Sequence, residues 1–139
     1  EAILPSTDVY LCDTIGEMGL FYNLAPISFV GKSLLDSGGH NPIEPIVCGS
    51  AVLSGQKVDS FYDTYKSLVA AGAVRLVSNE KMLAENIHFL LRDKVERERM
   101  IAAGKKSILE NSGGLDKTKE VLDSYIFPLT VRREFEELN

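Results

Sequence analysis

Residues 27–54 read ISFVGKSLLDSGGHNPIEPIVCGSAVLS, and this stretch decides the fold class. Ile27–Val30 and Ala51–Ser54 are short apolar runs without clean polar alternation, the pattern of strands covered by helices on both faces. Between them, Pro42 suits the first turn of a helix, where its missing N–H costs nothing, and Gly49 suits the end of that helix. Strand, helix and strand in so short a span predict a parallel sheet.

The alternation extends in both directions. Upstream, Val9–Cys12 reads as another strand and Gly16–Ala25 as a short helix. Downstream, Phe61, Tyr62, Tyr65, Leu68 and Val69 recur at helical spacing from Val58 until Gly72, and Ala73–Val77 reads as a fourth strand. Ser78 is placed to cap a helix carrying Met82, Leu83, Ile87, Leu90 and Leu91. A second helix should span Val95–Asn111, Ser112-Gly113-Gly114 should break it, and a third should run over Leu115–Phe127 until Pro128 stops it. The expectation is an α/β fold, a Rossmann-like parallel sheet with flanking helices. Residues 1–127 would form part of a nucleotide-binding domain and 128–139 a polar tail. The start, with no methionine and an abrupt Ala2-Ile3-Leu4, reads as a fragment boundary.

With 139 residues, 45% hydrophobic and 25% charged, the chain suits one soluble globular domain that needs no disulfide staple. A net charge of -5 disfavours nucleic acid as a partner. Cys12 and Cys48 sit in apolar stretches without CxxC or Cys/His spacing, so they read as buried free thiols, and no metal site is expected. No run approaches the roughly 20 apolar residues of a membrane span.

Chemistry concentrates in Gly31–Pro45, GKSLLDSGGHNPIEP. It follows a strand, and open α/β sheets bind ligands beyond the carboxyl ends of their strands. Gly38 and Gly39 permit close backbone approach, His40 and Asn41 add polar side chains, and Glu44 in the first helical turn can accept hydrogen bonds from a diol. Lys32 is a weaker candidate for a phosphate contact. Gly16-Glu17-Met18-Gly19 would place a second helix start at the same edge. A plainer reading stays open: Asn41 and Glu44 form a capping box, and Glu17 merely complements a helix terminus. His88 reads as a surface or packed residue rather than a catalyst, and the mixed charges from Arg92 to Lys106 read as a solvated helix face.

Asp13–Pro45, DTIGEMGLFYNLAPISFVGKSLLDSGGHNPIEP, resembles the donor-site region of bacterial Kdo transferases. These enzymes move 3-deoxy-D-manno-octulosonic acid from CMP-Kdo to a lipid A precursor in lipopolysaccharide biosynthesis. The likeness rests on Asp-Thr-x-Gly-Glu-Met, a strand ending Phe-Val-Gly, and Gly-Gly-His-Asn-Pro-x-Glu-Pro, and it continues more loosely to about Leu122. It implies part of the carboxy-terminal half of a GT-B glycosyltransferase that inverts configuration and needs neither metal nor cofactor. Gly16, Glu17 and Met18 should line the CMP pocket, and Asn41, Pro42, Ile43 and Glu44 should contact ribose and phosphate. Lys32, Ser33, Gly39 and His40 are secondary candidates. The family's catalytic glutamate, lipid acceptor site and membrane attachment belong to an amino-terminal domain. The resemblance therefore implies a soluble chain without transferase activity, from a parent at the cytoplasmic face of the bacterial inner membrane. It also implies that the opening strands of the domain are missing, which leaves the sheet edge beside Val9–Cys12 open to self-association.

Two departures stand out. Lys32 replaces a second glycine, and Ser54–Phe61 replaces a Gly-Pro-His-x-x-Asn-Phe pattern. The competing readings are a noncatalytic nucleotide-binding or interaction module and a GT-B enzyme that uses a UDP-sugar.

Overall fold

In the computed structural model, which describes residues 4–35, 38–114, 118, 121 and 122, three parallel strands form the sheet. They are β1 (Ile27–Val30), β2 (Ala51–Ser54) and β3 (Val74–Leu76), in the order β1-β2-β3. Ile27 lies beside Ala51, and Val52 beside Val74. All four residues of β2 are buried because it alone has neighbours on both sides and helices on both faces.

Side chains alternate across a strand, so β2 feeds two cores. Val52 joins Val30, Ile46, Tyr65, Leu68 and Val74 on one face. Ala51 and Leu53 join Leu90 and Met100 on the other. The first core is closed by α2 (Ile43–Cys48) and α3 (Tyr62–Ala70), the second by α4 (Glu80–Arg92). Helix α5 (Lys94–Glu110) reaches both, through Ala103 and Ile108 to one and Met100 and Ile101 to the other. The remaining helix, α1 (Met18–Leu24), packs beside α2.

Helix ends follow side-chain chemistry. Gly49 (φ 94) closes α2 in the left-handed region, where glycine carries no Cβ penalty. The cap of α4 is Asn79 rather than Ser78: its Oδ1 accepts from Met82 N at 2.9 Å. Ser78 stands one residue too early, and its hydroxyl turns to Met82 Sδ instead. Asp93 caps α5 through Glu96 N at 2.8 Å. Most of the helix expected over Leu115–Phe127 lies outside the described residues, although Thr118, Val121 and Leu122 are helical. The 128–139 tail lies outside them entirely.

The Val9–Cys12 strand does not form. Val9 is 84% exposed and Leu11 79%, because no strand lies beside them to pair with. Consequently Cys12 is exposed, not buried, and Cys48 is half-buried; both thiols are free. The open sheet edge on that side is β1 itself. No helix among the described residues is long and apolar enough to cross a membrane.

One ionic cluster ties β3 to α4 and α5. Glu96 accepts from Arg99 at 2.6 and 2.7 Å and from Arg75 at 2.7 Å. The Arg75 guanidinium also lies 4.9 Å from the centroid of the Phe89 ring on α4. The hydrogen bond from Arg99 lowers the Glu96 pKa most; burial opposes it, the bond from Arg75 adds to it, and the result is about 2. A depressed carboxylate pKa adds stability above the unfolded value of 4.5, and that stability is lost as pH falls from 4.5 toward about 2. Glu96→Gln should therefore lower stability near neutrality by about 1–2 kcal/mol, after solvent screening at its exposed partners, and flatten the acid limb of melting temperature against pH. Parallel pH profiles for the two proteins would contradict this.

Candidate functional site

α1 and α2 flank a hollow of about 430 Å3. Gly16, Met18, Gly19 and Tyr22 line it from one side, and Ile43, Glu44, Val47 and Cys48 from the other. Each set follows helical spacing, so one face of each short helix looks into the space. The opposite side of α2, Pro45 and Ile46, is buried in the core and fixes which way Glu44 faces. Four residues expected from sequence, Gly16, Met18, Ile43 and Glu44, are thus brought together.

Glu17 does not line the hollow but stands between two residues that do. Its carbonyl accepts from Leu20 N at 2.9 Å and Phe21 N at 3.3 Å, and its carboxylate accepts a short hydrogen bond from the Thr14 hydroxyl. The amides of Met18 and Gly19 come before the first of those bonds and have no acceptor within the helix. With α1 and α2 only seven and six residues long, these unpaired amides matter more than any helix dipole. Thr14 was not among the expected site residues. Its signal was a threonine three positions before a glutamate, as in a capping box, although here the two side chains bond each other.

The Gly31–Pro45 loop is braced from within. Lys32 has φ 56, so the lysine occupies a left-handed position that glycine would adopt without strain. Ser33 is 1% exposed; its hydroxyl donates to Val30 O at 2.6 Å and accepts from Gly55 N at 2.8 Å. Gly39 N donates to Lys32 O at 2.7 Å. A Cβ on Gly39 would lie 3.1 Å from Lys57 O. Ser33 and Gly39 therefore hold this loop to the segment after β2, and neither the Ser33 hydroxyl nor the Gly39 amide faces open solvent.

The His40 side chain is exposed, Asn41 is half-buried and Pro42 is buried. Asn41 Oδ1 accepts from Ile43 N at 3.0 Å. That bond spans two residues, not three, and Glu44 returns no bond to the Asn41 amide. The start of α2 is thus an Asn turn rather than a reciprocal capping box, and the Glu44 carboxylate stays exposed at the hollow.

Burial raises the pKa of Tyr22 most, and electrostatic interaction with Glu44 and Cys48 raises it further. The phenol therefore keeps its proton near neutrality and supplies a donor beside an acceptor carboxylate. Tyr22, Val47 and Cys48 were missed in the sequence, although each lies four residues beyond a residue that was found, or next to one that does. The hollow offers apolar walls, one carboxylate, one phenol and main-chain donors, a set that can bind a polar heterocycle bearing hydroxyls and an anion. Among the described residues, no three His, Cys, Asp or Glu side chains gather to hold a metal ion.

A second hollow of about 420 Å3 lies between α3 and α5, with Ile43 at its margin. Three of its polar side chains are engaged by nearby carbonyls: Ser67 Oγ donates to Asp63 O at 3.1 Å, Asn111 Nδ2 to Ser107 O at 2.8 Å and Ser112 Oγ to Leu109 O at 2.6 Å. The α1–α2 hollow is the better candidate, because it joins an open carboxylate, Glu44, to the first-turn amides of Met18 and Gly19.

No family model matches the chain. It is 35% identical over 122 residues to the 3-deoxy-D-manno-octulosonic acid transferase of Haemophilus influenzae, a match covering 87% of this chain and 29% of that protein. The transferase of the same name from Chlamydophila psittaci is 32% identical over 127 residues, covering 91% and 29%. That of Bordetella pertussis is 30% identical over 122 residues, covering 88% and 28%. The chain thus spans less than a third of the length of these curated relatives. Among solved structures, the C-terminal CMP-Kdo binding domain of WaaA from Acinetobacter baumannii superposes with a TM-score of 0.72 at 30% identity, covering 74% of this chain and 54% of that one. Sequence and fold agree on one set of relatives.

Proposed function

We propose that this chain, homologous over most of its length to a segment of the Kdo transferases, is the donor-binding portion of such an enzyme and holds the CMP moiety of CMP-Kdo between α1 and α2. The observation that carries the reading is the convergence of Gly16, Met18, Ile43 and Glu44 on one hollow. The solved neighbour is described as a CMP-Kdo binding domain, which supports the same ligand. In this arrangement the Glu44 carboxylate accepts from the ribose hydroxyls, Met18, Ile43 and Val47 flank the nucleoside, and the amides of Met18 and Gly19 face the phosphate. Ser33 and Gly39 serve as framework rather than as contacts.

In the whole protein, a base outside this chain deprotonates the acceptor hydroxyl. That hydroxyl attacks the anomeric carbon of Kdo, and CMP departs from the opposite face with inversion and without a metal. Amides aimed at the departing phosphate stabilise the charge that grows there. The acceptor is a lipid A precursor, presented by the other half of a GT-B enzyme at the cytoplasmic face of the inner membrane. This chain by itself transfers nothing, and its open β1 edge is where self-association would occur.

Amide NMR titration with CMP tests the site. Shifts should cluster at Gly16, Met18, Gly19, Ile43 and Glu44, UDP should bind more weakly, and Glu44→Gln should weaken CMP about tenfold through loss of a charge-assisted hydrogen bond. Shifts confined to the α3–α5 hollow, or equal affinity for UDP, would overturn the reading.

A further inference from the structure

We infer that Tyr65 is a positioning residue for this site: its buried hydroxyl, oriented by Ser54, holds the His40 carbonyl and thereby sets where the first turn of α2 meets the hollow. The inference rests on the reading of that hollow as the nucleotide site. Tyr65 is 1% exposed and Ser54 is fully buried at the end of β2. Ser54 Oγ donates to Tyr65 OH at 3.1 Å, and Tyr65 OH donates to His40 O at 3.1 Å. A hydroxyl carries one proton, so accepting from Ser54 leaves the Tyr65 proton for the loop and gives the relay a single direction.

The position of that carbonyl is what makes the bond consequential. Before His40, the loop is tied through Gly39 N to Lys32 O and through Gly38 O to Ser60 N. After it, the Asn41 to Ile43 bond is local and follows the chain wherever it goes. Between His40 and Ile43, the Tyr65 bond is the hydrogen bond from outside the loop among the described residues. Through it, the central strand of the sheet determines the direction in which the chain enters α2 and hence the placement of Ile43 and Glu44. The His40 side chain is exposed and contributes nothing to this fixation.

Tyr65→Phe keeps the ring in the core and removes the tether. Hydrogen exchange at the amides of Asn41, Ile43 and Glu44 should quicken about tenfold while exchange in β2 and α5 holds. CMP affinity should fall about fivefold. The double variant Ser54→Ala/Tyr65→Phe removes the orphaned Ser54 hydroxyl as well. It should regain part of any lost melting temperature yet recover none of the affinity, which a purely structural role would not produce. Unchanged exchange at Asn41–Glu44, or CMP affinity within twofold of the parent chain, overturns the inference. If the parent chain itself fails to bind CMP, the nucleotide reading falls, and the exchange comparison still decides whether Tyr65 fixes the loop.

Discussion

Gly55→Ala is expected to cost about 4 kcal/mol or more, lowering the melting temperature by roughly 10–15 °C, or to prevent folding outright. A Cβ at this position would lie 2.0 Å from the Ser33 carbonyl oxygen, 2.2 Å from its carbon and 2.5 Å from Leu34 N. All three are main-chain atoms, so no rotamer change relieves the clash. The backbone cannot retreat either, because Ser33 is pinned by its bonds to Val30 O and Gly55 N, and its carbonyl accepts from Lys57 N at 2.9 Å. The constraint is space rather than torsion. Gly31 makes the comparison: nothing lies within 4 Å of a Cβ there, so Gly31→Ala should stay within about 1 kcal/mol of the parent. Thermal denaturation followed by circular dichroism measures both variants, and a Gly55→Ala protein melting with the parent would refute the packing account.

Gly55 also shows what the sequence withholds. Its partner Ser33 is 22 positions away, and no local pattern announces a main-chain contact across that separation. Gly38 and Gly39 drew notice instead because they are adjacent and follow a strand. Gly39 proves to be spent on the protein's own framework. The central strand β2 was legible because burial on both faces leaves a nearly unbroken apolar run, and β1 and β3 followed from the short apolar runs around it. Val9–Cys12 has the same composition and formed none, since periodicity reports what a strand can bury and not whether a neighbour is there to pair with it. The hollow was half legible. Gly16, Met18, Ile43 and Glu44 were found, whereas Tyr22, Val47 and Cys48 emerge only once both helices are built and their faces compared.

Gly104→Ala should reverse sign with its neighbour, destabilising the parent chain but stabilising an Ile46→Ala background. In the parent, a Cβ on Gly104 would meet Ile46 Cγ2 at 2.6 Å and Ala73 Cβ at 3.2 Å. Overpacking of that degree exceeds the helix propensity alanine gains over glycine, for a net loss of about 1–2 kcal/mol. Ile46 is fully buried, and Ile46→Ala alone should cost about 3 kcal/mol through lost contacts and the cavity left behind. With Ile46 truncated, the 2.6 Å clash is gone and only the close approach to Ala73 Cβ at 3.2 Å remains, so the added methyl fills part of that cavity and the double variant should be more stable than Ile46→Ala, with a coupling of about 2 kcal/mol. Additive single effects in denaturant titrations would dismiss the contact. The consequence reaches the site, because α2 rests Ile46 on α5 at Gly104 and turns Ile43, Glu44, Val47 and Cys48 toward the hollow. A methyl group added beneath the helix lifts its outer face, so Gly104→Ala should weaken CMP binding although it alters no residue that lines the pocket.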